Sequence, residues 1–278
     1  KVDIPSGSQT HISDSEYEQL RSIIYNKCRI NLGPNKKELL MARLSKRLRH
    51  LNFNSYKEYI TSLKDGTNDA EMSELINAVS TNHTYFFRET GHFDFLNQVA
   101  LPNFRESRNL RLWSAACSSG EEPYSLAITL GEHFSKSSTS WEMVCSDIST
   151  KVLEKAASGV FADERVSKMR SEWLQRYFQK GRGQWEGFYR AREEIRRKMI
   201  FKQINLIEEP YPHSQPFDLI FCRNVMIYFD RDTQEFVVNR LSRHLRPGGY
   251  LMIGHAESLT NIRHPLRMIR PAIYQLPE

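Results

Sequence analysis

The stretch "SAACSSGEEPYSLA", Ser114 to Ala127, sets a glycine turn and two adjacent carboxylates, Glu121 and Glu122, directly after an apolar run. Pro123 suits the first turn of a helix, where its missing N–H costs nothing, so the stretch reads as strand, turn and helix. Such a helix start ordinarily takes a phosphate on its free amides. Here one glycine, Gly120, stands where the dinucleotide fingerprint needs three, and two acids stand where a phosphate would sit. The helix dipole alone also favours acids in a first turn, which accounts for either residue without any ligand. A further acid, Asp147, ends the next apolar run in "WEMVCSDIS". In a doubly wound sheet that position lies beside the first loop, where a carboxylate accepts hydrogen bonds from ribose hydroxyls. A ribose acceptor with acids in place of a phosphate site fits a nucleoside that carries positive charge. S-adenosylmethionine, with a sulfonium and an ammonium and no phosphate, has that character; NAD and ATP do not.

The elements that must hold these residues follow from periodicity. Apolar runs at Leu110–Ala116, Met143–Cys145, Met199–Ile204, Phe217–Cys222 and Tyr250–Ile253 alternate with helical patterns, which predicts a mostly parallel sheet covered on both faces. Arg267–Ile269 and Ile273–Leu276 are close enough for a terminal antiparallel hairpin. Residues 158–198 are too long for a simple crossover, and their glycines among aromatic and basic residues predict an inserted antiparallel β-subdomain. Ahead of the sheet, residues 11–68 show helical spacing at Leu20, Ile23, Ile24, Leu39, Leu40, Leu44, Leu48, Tyr56, Tyr59, Ile60 and Leu63. Ser13 with Glu16 forms a capping-box signature, and Gly33-Pro34 separates the first two helices. Lys64–Asp69 reads as a linker to a second domain, residues 71–278, and residues 1–10 are expected to fray.

The 278 residues carry 39 basic and 33 acidic side chains for a net charge of +6, with 40% hydrophobic and 26% charged residues. This is globular composition, and its moderate positive charge admits nucleic acid, anionic membrane or acidic protein without choosing among them. The four cysteines are widely separated with no C-x-x-C pair, which argues against a zinc site and a disulfide framework and for a reducing cytoplasm. No metal is expected. There is no leader pattern and no apolar run long enough to span a bilayer, so membrane insertion is not expected either.

Six segments in order, "TNHTYFFRE" (Thr81–Glu89), "SAACSSGEEPYSLA", "SDIS" (Ser146–Ser149), "INL" (Ile204–Leu206), "FCRNVMIYF" (Phe221–Phe229) and "LRPGGYLMIGHAES" (Leu245–Ser258), resemble the CheR family of chemotaxis-receptor glutamate O-methyltransferases. The resemblance covers nearly the whole chain. It implies an α/β fold: a doubly wound, Rossmann-like class I methyltransferase sheet with a terminal antiparallel hairpin, a small all-helical N-terminal domain and a small antiparallel β-subdomain insert. It implies S-adenosylmethionine as cofactor, with S-adenosylhomocysteine as product, held by Asn82, Thr84, Arg88, Glu122 near the methionine part, Asp147 at the ribose, Asn205, Leu206, Arg223 and Asn224. Arg88 and Tyr228 would be the catalytic pair facing the methyl group and the incoming glutamate.

Each assignment has a structural alternative. Asn82 and Thr84 could cap a helix, Arg88 could pair with Glu89 or Asp94, Tyr228 could be core, and His255 could support a loop or take part in the reaction. Cys222 reads as a buried strand cysteine, not as a nucleophile. A glutamate, with a reference pKa near 4.3, is already an anionic nucleophile at neutral pH and needs no general base.

The helix at 36–50 gathers Lys36, Lys37, Arg43, Lys46, Arg47 and Arg49 with one acid, Glu38. It is either a solvated basic face or, as the resemblance implies, a docking surface for the acidic helical bundle of a chemoreceptor's cytoplasmic domain. The insert near 182–189 resembles a subdomain that captures a receptor's tethering peptide by strand addition. A monomer with no nucleic-acid partner is expected. The competing functions are a nucleic-acid methyltransferase, favoured by the basic balance but lacking an N-P-P-Y or D-P-P-Y motif, and a non-catalytic module that binds the cofactor product.

Overall fold

The computed structural model describes residues 11–65, 69–104 and 109–278; the N-terminal segment expected to fray and the centre of the expected linker lie outside them. The chain divides into two compact units, Lys1–Thr81 and Asn82–Glu278. The division falls after a helix that the sequence reading placed in the second domain.

The first unit holds α1 (Asp14–Cys28), α2 (Lys37–His50), α3 (Tyr56–Lys64) and α4 (Asp69–Val79). The capping box at the start of α1 is formed: Ser13 Oγ accepts from Glu16 N–H, and the Glu16 carboxylate accepts from Ser13 N–H. Leu40, Leu44 and Leu48 of α2 recur every fourth residue and are buried as one stripe. Besides burying Leu75, Ile76 and Val79, α4 is fastened to this unit by charge. Glu71, 2% exposed, takes a bidentate ion pair from Arg47 of α2 and a 2.8 Å hydrogen bond from the Tyr59 hydroxyl of α3. Arg43 of α2 also donates to the Val79 carbonyl at 2.7 Å. The linker reading of 64–69 could not see these bonds, because they join residues from different helices.

In the second unit, α5 (Gly91–Phe95) precedes β1 (Leu110–Ser114), α6 (Glu121–His133), β2 (Trp141–Asp147) and α7 (Thr150–Ser158). The insert follows as β3 (Val160–Ala162), α8 (Asp163–Val166), α9 (Ser171–Tyr177), β4 (Phe178–Lys180), β5 (Phe188–Ala191) and α10 (Glu193–Arg196). The chain then completes the sheet with β6 (Met199–Gln203), β7 (Phe217–Phe221), α11 (Arg231–Arg243), β8 (Leu245–Met252), β9 (Arg267–Arg270) and β10 (Ile273–Gln275). The main sheet runs β6-β2-β1-β7-β8-β10-β9, parallel through β8 and antiparallel in the closing hairpin. Its central strands β1, β2 and β7 are buried on both faces, as parallel strands under helices must be, while of the edge strands β6 is partly exposed and β9 exposed throughout. Leu112, Met143, Cys145 and Phe221 pack with Leu126, Ala127 and Leu130 of α6 on one face. Trp113, Val144, Ile220 and Leu251 pack with Val237, Val238 and Leu241 of α11 on the other. The expected α/β sheet, terminal hairpin and small antiparallel insert are all present.

The strand order reverses between β1 and β7, so the crevice at their carboxyl ends is the topological switch point where ligands bind in open α/β sheets. Every motif singled out from the second unit's strands ends on that side.

Candidate active site

The turn after β1 is shaped by backbone geometry. Gly120, the residue ahead of α6, has φ +104°, and a Cβ there would come within 3.0 Å of the Ala156 backbone. Only glycine suits both the left-handed conformation and the close packing. The turn thereby aims Glu121 and Glu122 into the protein, and both are buried.

The two acids have different partners. Glu122 accepts from Ser114 Oγ at 2.7 Å and from Arg223 Nη1 at 2.9 Å. Glu121 is more than a first-turn acid: it is 1% exposed and ion-paired with Arg165 of α8, with Ser119 Oγ donating to it at 2.7 Å. Arg165 also donates to the Thr84 carbonyl at 3.0 Å. Glu121 thus ties the cradle to the start of the insert and to the segment entering the second unit, while Glu122 stays toward the crevice.

Arg223, just past β7, organises the rest. Its Nη2 donates to the Arg88 carbonyl and to Glu89 Oε2 at 3.0 Å, while its Nε is buried without a partner. Asn224 has φ +58° and donates its amide to Glu89 Oε1 at 3.1 Å. Burial works against ionisation of Glu89, but the Asn224 hydrogen bond and the Arg223 charge outweigh it and hold the carboxyl below its ordinary value. Glu257 accepts from the backbone N–H groups of Gly254, Asn224 and Ile227 at 2.5, 3.0 and 3.3 Å and so fixes the loop after β7. A side chain at Gly254 would collide with Asn224.

Asp147 ends β2 as expected and is 8% exposed. Its Oδ2 accepts from Ser118 N–H at 2.9 Å and its Oδ1 from Ser149 N–H at 3.0 Å, so it also clamps the β1 turn. Burial pushes its carboxyl above 3.8, and these backbone hydrogen bonds only partly offset that.

The remaining candidates are placed as follows. Asn82 and Thr84 lie outside any helix, between α4 and α5, and cap nothing; the Asn82 carbonyl accepts from Ser118 Oγ at 3.5 Å. Arg88 donates to the His83 carbonyl at 2.7 Å and lies 5.8 Å over the Tyr85 ring; it pairs with neither Glu89 nor Asp94. Tyr228 sits half-buried in a 3₁₀ turn, Met226–Tyr228, outside both core clusters. Arg88 and Tyr228 make no bond or ring contact with each other. Asn205 directs its amide to Glu208 at 3.0 Å. Leu206 has its side chain in the core and its carbonyl bonded to Tyr211, which leaves little of it to line a pocket. Cys222 is buried, and burial raises its thiol far above the ordinary range, so it is no nucleophile.

Sequence reasoning passed over Ser114, Glu89, Glu257 and Arg165. Glu89 and Glu257 lie inside the quoted motifs, and their acids were the available signal. A second surprise is the approach of Glu89, His92 and His255, whose ligand-capable atoms all lie within 4.8 Å of one another.

Three carboxylates, Glu89, Glu122 and Asp147, are therefore set against the buried guanidinium of Arg223, with Arg88 the further cation assigned to the site. An anionic phosphate would face that excess unfavourably, whereas a cationic nucleoside with an amino-acid tail fits it. The comparisons agree. The family model "CheR methyltransferase, SAM binding domain" matches residues 82–274, and "CheR methyltransferase, all-alpha domain" matches residues 15–80. A chemotaxis protein methyltransferase of Salmonella typhimurium is 40% identical over 265 residues, spanning 95% of this chain and 91% of the relative. One from Borreliella burgdorferi is 38% identical over 273 residues, spanning 95% of each. One from Escherichia coli K12 is 38% identical over 265 residues, spanning 95% of this chain and 92% of the relative. The chain belongs to the CheR methyltransferase family and is an S-adenosylmethionine-dependent methyltransferase.

Proposed function

We propose that this enzyme esterifies glutamate side chains of a chemoreceptor's cytoplasmic helical bundle, and that the acidic crevice around Arg223 is where it holds its methyl donor. The observation that carries the reading is the placement of Glu122, fixed by Ser114 and Arg223 at the carboxyl end of β1. Glu122 would face the donor's ammonium, and the unpartnered Arg223 Nε leaves a donor for its carboxylate. Asp147 keeps a free lone pair on each oxygen for ribose hydroxyls. Asn82, Thr84, Asn205, Asn224 and the backbone of Leu206 complete the pocket.

S-adenosylmethionine supplies an electrophilic methyl group. The protein's task is to strip water from an acceptor carboxylate and align one of its oxygens. Arg88 suits this as a charged fork and Tyr228 as a neutral donor, and neither removes a proton from the acceptor. That is the chemistry a glutamate needs, because it arrives ionised.

Docking is more selective than the sequence suggested. Arg43 and Arg47 are spent on Val79 and Glu71, and Lys37 pairs with Asp14 at 2.7 Å. Lys36, Lys46 and Arg49 remain exposed and would steer an acidic bundle. In the insert, β5 is paired on both sides, by β3 and β4. A tethering peptide adding as a strand would therefore take a free edge, and we assign β4, which leads into the 182–189 segment. The buried, unpaired cysteines suit work in the reducing cytoplasm as a monomer. The nucleic-acid and non-catalytic readings lose their support to the family assignment.

The test incubates the full chain with methyl-labelled donor and a receptor cytoplasmic fragment. Alkali-labile label on the fragment is expected and should vanish in Arg88→Ala and Tyr228→Phe variants that still bind S-adenosylhomocysteine. Alkali-stable label, or label found on RNA alone, would sink the proposal.

A further inference from the structure

Beside the crevice, three residues converge that neither the family assignment nor the proposed reaction uses together. His92 is 0% exposed, and among the described residues neither buried ring nitrogen has a hydrogen-bond partner of good geometry, the Ala272 backbone acting on it only weakly. A buried imidazole so poorly satisfied is costly, and such a group calls for an explanation. Its Nδ1 lies 3.6 Å from Glu89 Oε2, too far for a hydrogen bond. Its ring centroid is 4.8 Å from that of His255, which is exposed and lies against Gly91.

The geometry points to a divalent transition-metal site of the zinc class formed by Glu89, His92 and His255. Zinc takes imidazole nitrogen and carboxylate oxygen at about 2.1 Å, which puts neighbouring ligands about 3.4 Å apart in a tetrahedron. The Glu89–His92 pair at 3.6 Å already has that separation. The widest pair in the group, within 4.8 Å, must close by about 1.4 Å on that scale, a movement that a rotation of the exposed His255 supplies. Two imidazoles and one carboxylate select zinc, cobalt or nickel over magnesium and calcium, which prefer oxygen. His255 at the surface gives the ion an entry path and leaves a coordination position toward solvent.

Occupation has a consequence for the crevice. Glu89 Oε2 is the same oxygen that accepts from Arg223 Nη2 at 3.0 Å. A cation on that oxygen competes with the guanidinium and loosens the arginine that also holds Glu122. The metal would thus antagonise donor binding, a coupling that rests on the cofactor reading above, and by linkage each ligand must weaken the other by the same factor.

Equilibrium titration of the untagged full chain with Zn²⁺ against a chromophoric chelator, repeated with Co²⁺ by its visible absorption, tests the site. One ion per chain is expected, with affinity at least about tenfold lower in His255→Ala. Zinc affinity unchanged by that substitution would overturn the site. His92→Gln, checked for folding by circular dichroism, should lose the ion as well; a folded variant that binds zinc like the wild type would also overturn it. S-adenosylhomocysteine titrations with and without saturating Zn²⁺ test the coupling: lower affinity with zinc is expected, and equal affinities would refute it while leaving the site intact. Failure of the metal-free protein to bind S-adenosylhomocysteine would count against the cofactor reading instead.

Discussion

Each unit of the molecule sets an arginine against a buried carboxylate, and the two centres are built differently. In the helical unit, Arg47 makes three hydrogen bonds to Glu71, Tyr59 donates to the same carboxylate, and the half-exposed Glu74 lies 4.0 Å from the guanidinium. The buried carboxylate of Glu71 is met by donors from two helices. In the sheet unit, the fork of Arg223 is divided among Glu89, Glu122 and a carbonyl, its Nε has no partner, and Asp147 adds a further buried acid nearby. A buried ion pair that closes on itself fastens helices. One that leaves negative charge and an unused donor is organised for a ligand that brings the complementary groups.

The same substitution at both centres would test this contrast most strongly. Lysine keeps the charge and loses the planar fork. Arg223→Lys should lower S-adenosylhomocysteine affinity by about 100-fold, as expected from losing one or two charge-assisted hydrogen bonds worth roughly 1.5–3 kcal/mol each. Arg47→Lys should leave that affinity unchanged and cost about 1–2 kcal/mol of stability by urea unfolding. Equal effects at both sites, by calorimetry and unfolding together, would erase the distinction.

A smaller effect should separate binding from stability through pH. Because burial raises the Asp147 carboxyl in the folded protein, its ionised form is less stable folded than unfolded. Protonation therefore favours the fold, and this contribution to stability is lost as pH rises from 3.8 through the raised value. Ribose hydroxyls donate more strongly to the ionised carboxylate, so S-adenosylhomocysteine affinity should fall with decreasing pH at a midpoint above 3.8, and that dependence should be absent in Asp147→Asn. A midpoint at or below 3.8 in the wild type would contradict the assignment. Smallest of all, combined Lys36→Glu, Lys46→Glu and Arg49→Glu changes should slow receptor methylation severalfold at low salt and little at high salt, with unfolding and cofactor affinity unchanged. A rate loss insensitive to salt would point to damage within the helical unit instead of lost steering.

Much of the fold was readable because its signals are local. Apolar runs bounded by turn residues marked the strands, and a capping box marked the first helix. Gly120 and Pro123 announced the turn and the helix that carry Glu122. Glu121 is the first-turn acid that local logic gives, but its burial is explained only by α8, far along the chain, which brings Arg165 to it. The basic face of α2 was overcounted for a related reason, since helical spacing shows which side chains share a face but not which are taken by the next helix.

The sequence by itself determined the order of elements, the positions of the motif residues, the charge character of the cradle and the family. These depend on neighbours within a few residues or on motifs that survive as strings. Only the tertiary structure decided that Glu122 and Glu121 have separate partners, that β5 has no free edge and that Arg43 and Arg47 are structural. It alone brought His255 to Glu89 and His92. Ion pairs and ligand sets join residues that the chain holds far apart, and their distances exist only once the sheet and its helices have packed.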